Sequence, residues 1–163
     1  MSEAVKPIPE GYHSVTPHLV CRDASKALDF YKSALGAEIR NVSKDDRGKV
    51  MHAEIKIGDS IVMLSDEFPE YHSLSPLGLG GTAVSLHIYT EDADAAFSRA
   101  VDAGAKVGMP IMDAFWGDRY GQVVDPYGHK WAIATRKRVP TQEEMRAAVK
   151  AFSDKAKEKS ASG

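Results

Sequence analysis

The sequence predicts an α+β protein made of tandem βαβββ modules whose two mixed sheets pair with each other. Three observations carry that prediction: an internal repeat, the same helix and turn punctuation in both copies, and a length that leaves each copy too small alone. His18, Asp23, Ala24 and Ala27 fall on His87, Asp92, Ala93 and Ala96 with a constant offset of 69; after a one-residue slip, Gly36-Ala37 falls on Gly104-Ala105. Self-similarity at one fixed spacing marks a repeated structural unit. Each copy, at about 55 residues, buries too little of its own sheet, so pairing is the expected solution.

The elements follow in chain order. Residues 1–12 form an N-terminal arm, extended by Pro7 and Pro9. The first module spans residues 13–66. A strand over 16–22 tolerates Pro17 near its start, where a missing N–H costs little. Asp23 then stands where a helix N-cap belongs, Ala27, Leu28, Tyr31 and Leu35 recur at helical spacing, and Gly36 suits the C-cap. Strands over 38–43, 50–57 and 60–65 are separated by Asp45-Asp46-Arg47-Gly48 and Gly58-Asp59, both turn-forming strings. Residues 67–81, rich in Pro, Gly and Ser, read as a linker. The second module spans 82–138, with a strand over 83–89, a helix capped by Asp92 and stopping at Gly104, and strands over 106–112, 122–125 and 130–135. Asp125-Pro126-Tyr127-Gly128 reads as turn chemistry. Residues 139–163 form a C-terminal helix and tail: Thr141 and Glu144 fit a capping box, and Met145, Ala148, Val149 and Phe152 share one helical face.

Composition removes several function classes. With 21 Lys+Arg against 23 Asp+Glu the formal net charge is −2, which disfavours nucleic acid as a partner, because phosphate recognition leaves a basic excess. No apolar run approaches the roughly 20 residues that span a bilayer, so no membrane partner is expected. A single cysteine, Cys21, excludes an intrachain disulfide and a multi-cysteine zinc site. The N-terminal residues lack the apolar core of a signal peptide, so the expected location is cytoplasmic.

The strings RDASKALDFYKSALGAEI (residues 22–39) and DPYGHKWAI (125–133), within a tandem βαβββ repeat, resemble the vicinal oxygen chelate superfamily: glyoxalase I, bleomycin-resistance proteins and extradiol dioxygenases. HAEIKIGDSIVMLSDE (52–67) and FWGDRYGQVVDPYGHKW (115–131) are most similar to its PhnB-like subgroup. The resemblance covers residues 13–138. It implies a cup-shaped paired sheet and a homodimer, which the apolar stripe of the tail helix also permits. In the family's enzymes it implies a divalent metal held by His or Gln on the first strand of each module and Glu on the last. Here the last strands, read as 61–65 and 131–134, contain no carboxylate, and the usual ligand set is broken.

The candidate site residues follow from the repeat and from strand alternation. His18 and His87 occupy equivalent positions and are expected to face one cup. His52, Glu54 and Lys56 share the polar face of their strand, opposite Ala53, Ile55 and Ile57. The loop Phe115-Trp116-Gly117-Asp118-Arg119-Tyr120-Gly121 carries three aromatic residues beside two glycines, and Arg119 has the fork for a bidentate acidic partner. Cys21 falls on the helix-facing side. The first expectation is therefore a protein that binds a small organic ligand with no metal cofactor, using His18, His52, Glu54, His87, Phe115, Trp116, Arg119 and Tyr120. The alternative is a lyase or isomerase using one divalent ion (Ni, Zn, Mn or Fe) on a non-standard set of His18, His52, Glu54 and His87. No catalytic residue is assigned; a metal-free enzyme with His87 or Glu54 as general base is the third possibility.

Overall fold

In a computed structural model, which describes residues 4–163, the two modules form separate four-stranded sheets of identical strand order. The first comprises β1 (His18–Cys21), α1 (Ala24–Leu35), β2 (Glu38–Lys44), β3 (Val50–Ile57) and β4 (Ser60–Asp66), with spatial order β1-β4-β3-β2. After the linker come β5 (Ser85–Tyr89), α3 (Ala93–Asp102), β6 (Lys106–Asp113), β7 (Asp118–Val124) and β8 (Lys130–Arg136), in order β5-β8-β7-β6. In each sheet the first and last strands pair parallel and the rest antiparallel. Asp23 and Asp92 cap α1 and α3, accepting from the amides of Lys26 and Ala95, and Gly36 ends α1 with φ of 64°.

The repeat extends to the strand–helix junctions. The Asp66 carboxylate accepts from the Ala24 amide at 2.8 Å and the Val50 amide at 2.7 Å. At the corresponding place in the second module the Thr135 hydroxyl accepts from the Ala93 amide at 2.8 Å. Helices α1 and α3 pack against each other over one face of the two sheets, and a single apolar core runs through both modules, from Leu19, Ala27 and Ile55 to Phe97, Val123 and Ile133. A buried polar hub joins the halves. Asp125 accepts from the Tyr31 hydroxyl at 2.6 Å and the Trp131 indole N–H at 2.9 Å, and from the amides of Tyr127 and His129. His129 also meets the Val20 carbonyl at 2.9 Å.

Two sequence expectations need correction, and two further segments carry detail that the sequence did not specify. Strand β7 begins at Asp118 rather than 122, so only Ala114 to Gly117 turn and the second half of the aromatic string is strand. Strand β4 extends to Asp66 and so does contain a carboxylate, which is committed to backbone amides on the helix side. The linker is folded: a 3-10 turn (Pro69–Tyr71) and a short helix α2 (Pro76–Leu79) are pinned by Glu67, which accepts from the Ser75 amide and hydroxyl. The tail helix α4 (Gln142–Ala161) forms with Thr141 as its cap, yet none of its residues is buried. The N-terminal arm turns at Tyr12, whose amide donates to the Pro9 carbonyl; residues 1–3 of that arm lie outside the described residues.

Candidate functional site

Strand alternation sends one set of side chains to the helices and the other to the opposite, open face of each sheet. On the first sheet the open face carries His18, His52, Glu54, Met63 and Ser65, placed by the β1–β4 and β3–β4 registers. His18 Nε2 lies 3.1 Å from the Ser65 hydroxyl, and the His18 and His52 rings are 6.2 Å apart. His52 Nε2 is 3.3 Å from Glu54 Oε1. The Tyr12 hydroxyl, brought in by the arm, donates to Glu54 and holds its carboxyl below the usual carboxylate range, with His52 adding to the effect. Partial desolvation of the His18 ring lowers its pKa, and the neighbouring His52 lowers it further. This is a polar cluster, tied down from three strands and the arm.

The second sheet presents the equivalent positions with different chemistry. Small residues Ala132 and Ala134 of β8 lie between His87 and Tyr89 of β5 on one side and Tyr120 and Gln122 of β7 on the other. The larger side chains lean over this alanine floor: the His87 ring is 4.7 Å from Tyr89 and 5.8 Å from Tyr120. Tyr120 meets Trp116 edge-on at 5.1 Å, Trp116 meets Phe115 edge-on at 5.1 Å, and Phe115 lies 5.9 Å from Phe152 of α4. A continuous series of rings therefore runs from the sheet to the tail helix. Beneath it Asp118 accepts from the Trp116 indole N–H at 3.0 Å and from the Tyr89 hydroxyl at 3.3 Å. Two clefts open around the facing edges of β1 and β5. One, of about 460 Å³, is bordered by His18, Leu74, Leu86 and Lys130; the other, of about 510 Å³, by His13, Thr16, His87 and Tyr89.

The structure groups the expected residues unevenly. His18, His52 and Glu54 come together on the first sheet, while His87, Tyr120, Trp116 and Phe115 come together on the second. Arg119 joins neither group. It points to the helix side of β7, where its guanidinium forks onto Asp94 of α3 at 2.9 and 3.0 Å and reaches Asp113 at 3.4 Å. Gly121 is there for packing rather than turning: a Cβ on it would come within 2.8 Å of the Phe97 ring. Of the two glycines in this string only Gly117 needs the left-handed region, with φ of 101°. Cys21 is fully buried against the Tyr31 hydroxyl, and burial pushes its thiol up to about 12. Sequence reasoning missed Tyr89 and Ser65, although alternation from His87 and Met63 puts both on the open faces. It also missed Tyr12, whose contact with Glu54 comes from the path of the arm and leaves no local sign.

Residues 11–133 match the model of the Glyoxalase/Bleomycin resistance protein/Dioxygenase superfamily. The chain belongs to this superfamily. An uncharacterised protein of Mycobacterium bovis, Mb0911c, is 42% identical over 145 residues, covering 86% of this chain and 95% of its own length. Among solved structures, TioX from Micromonospora sp. ML1 superposes with a TM-score of 0.62 at 27% identity, covering 76% of this chain and 98% of its own. The PhnB protein from Bacillus cereus, described as a putative 3-demethylubiquinone-9 3-methyltransferase, shares the fold with a TM-score of 0.59 at 21% identity, covering 76% and 99%. The superfamily's usual metal centre can be tested against this donor set. His18 faces Ser65 across β1 and β4, and His87 lies opposite Ala132 across β5 and β8; β8 carries no carboxylate at all. Among the described residues no three His, Cys, Asp or Glu side chains gather as a metal-holding group. The donors present do not fit a superfamily-type divalent metal.

Proposed function

We propose that this superfamily member binds a small organic ligand on the open sheet faces, holding it by ring packing and hydrogen bonds with no metal cofactor. The observation that carries the reading is the series of ring contacts from Phe115 through Trp116 and Tyr120 to His87 above an alanine floor. The rings close over Ala132 and Ala134, which are themselves buried, and the trough they line presents aromatic faces suited to a flat, largely apolar body; aromatic contacts add about 0.5–1.5 kcal/mol each beyond area burial. The His18–His52–Glu54 cluster supplies polar anchors on the neighbouring sheet. The protein is a homodimer in this reading, because β2 is exposed at every residue and α4 buries none of its own. Its compartment is the cytoplasm, where Cys21 stays a thiol.

A titration by tryptophan fluorescence tests the proposal, since the chain has 2 tryptophans and only Trp116 lies on the open face. Screening planar aromatic compounds is expected to give saturable quenching. Tyr120→Ala and Trp116→Ala should each weaken that binding by roughly three- to tenfold. Affinity unchanged in both variants removes the trough from the site. Tight stoichiometric binding of Ni²⁺ or Zn²⁺ that is lost in His87→Ala contradicts the metal-free reading.

A further inference from the structure

Asp118 begins β7 at the end of the aromatic trough with its side chain 2% exposed. One carboxylate oxygen, Oδ2, takes both hydrogen bonds, from Trp116 and Tyr89. The other, Oδ1, is the single buried side-chain polar atom without a hydrogen-bond partner among the described residues. An unpartnered buried acceptor costs free energy, and the cost is greater for a charged group, so its direction is informative. Oδ1 looks toward Arg136, whose Nε stands 3.8 Å away, too far for a hydrogen bond; the Arg136 side chain is 64% exposed. The same guanidinium sits over the Tyr89 ring, 5.9 Å from its centroid. A cation of the chain itself therefore rests between an aromatic face and a carboxylate oxygen, at the long end of both contacts and with no hydrogen bond to Oδ1.

We propose that Asp118, Tyr89 and Trp116 form a subsite for a protonated amine or amidine on the bound ligand, which displaces Arg136. Three features suit that chemistry. Oδ1 lacks a donor, and a primary ammonium or amidinium brings N–H groups to it. The Tyr89 ring offers its negative face to a cation. The two hydrogen bonds on Oδ2 fix the carboxylate, so Oδ1 is pre-aimed and little rotamer entropy is lost on binding. Arg136 competes as an exposed, mobile side chain held by a weak ion pair. This inference rests on the ligand-binding reading above and adds a charge requirement to it.

The test compares benzylamine, a cation at neutral pH, with benzyl alcohol, its uncharged counterpart, by calorimetry and by the Trp116 indole N–H signal in NMR. Arg136→Ala, a change at an exposed position, is expected to tighten benzylamine by roughly tenfold and to leave benzyl alcohol unchanged. Asp118→Asn keeps an acceptor for Trp116 and Tyr89 but puts an amide where Oδ1 was, and should abolish the preference for the amine. If Asp118→Asn does not fold, the Arg136→Ala comparison of the two probes still decides. Equal binding of both probes, or benzylamine affinity unchanged or weakened by Arg136→Ala, overturns the subsite; so does binding of neither. Binding of neutral planar compounds in the trough together with any of those results leaves the ligand-binding reading standing and removes only the charge requirement.

Discussion

Asp125 accepts four hydrogen bonds from inside the core, two from side chains of different modules' elements and two from its own turn. A hydrogen bond to a charged group contributes about 1.5–3 kcal/mol. Tyr31→Phe keeps the ring and removes the donor at 2.6 Å, so chemical denaturation should show a loss of about 1–3 kcal/mol. The Tyr31 hydroxyl is itself pushed well above its ordinary value, by burial first and by the Asp125 charge second, so it stays a donor across the working pH range. Cys21 in the same region has its thiol pushed up to about 12 and no exposure. Native protein at pH 8 should therefore leave an alkylating reagent unconsumed, with one thiol released on unfolding; prompt alkylation of the native state contradicts this burial.

Element by element, what the sequence made readable was whatever depends on local chemistry. The Asp23 and Asp92 caps, the Gly36 C-cap, the Thr141 cap and the repeat all act over a few residues, and each stands where its pattern implies. The start of β7 was not readable. Trp116, Gly117 and Tyr120 look like loop chemistry, and it is pairing with β8 and β6, from Asp118 with Arg136 onward, that makes a strand of the segment's second half. The fork of Arg119 does find an acidic partner, but which one was not readable, because Asp94 is 25 residues away. Ring packing at Gly121 gives an element-scale prediction. Gly121→Ala forces Cβ toward Phe97 and the Ile111 backbone, and should destabilise the β7–α3 contact by about 1–3 kcal/mol. By contrast Phe152→Ala removes a ring that is 64% exposed on α4, and should change monomer stability by less than about 0.5 kcal/mol.

For the whole molecule, pH dependence follows from downward shifts that act in successive pH ranges. His18 has a pKa below its ordinary 6.5, so below that value the unfolded chain binds more protons than the folded one. Stability should then decline as pH falls below about 6.5, and His18→Asn should flatten that first stage. Glu54 and Glu67 sit below their ordinary 4.5, held there chiefly by hydrogen bonds from Tyr12 and Ser75. Their contribution is complete above 4.5 and is lost as pH falls through their lowered values, giving a second, steeper decline. Thermal unfolding from pH 8 to pH 3 in the two proteins measures both stages. Light scattering should give roughly twice the 17.7 kDa of one chain, and a mass of one chain removes the homodimer.

The claim that the open face of the second sheet is a ligand trough is reached most directly through its floor. NMR of protein labelled at alanine methyl groups, titrated with planar aromatic compounds, reports Ala132 and Ala134 under the rings and Ala27 and Ala53 in the core on the helix side. Ring-current shifts concentrated at Ala132 and Ala134, saturating with ligand and abolished by Tyr120→Ala, are the predicted result. Saturable binding that leaves both methyl signals unmoved, or moves Ala27 and Ala53 instead, contradicts it.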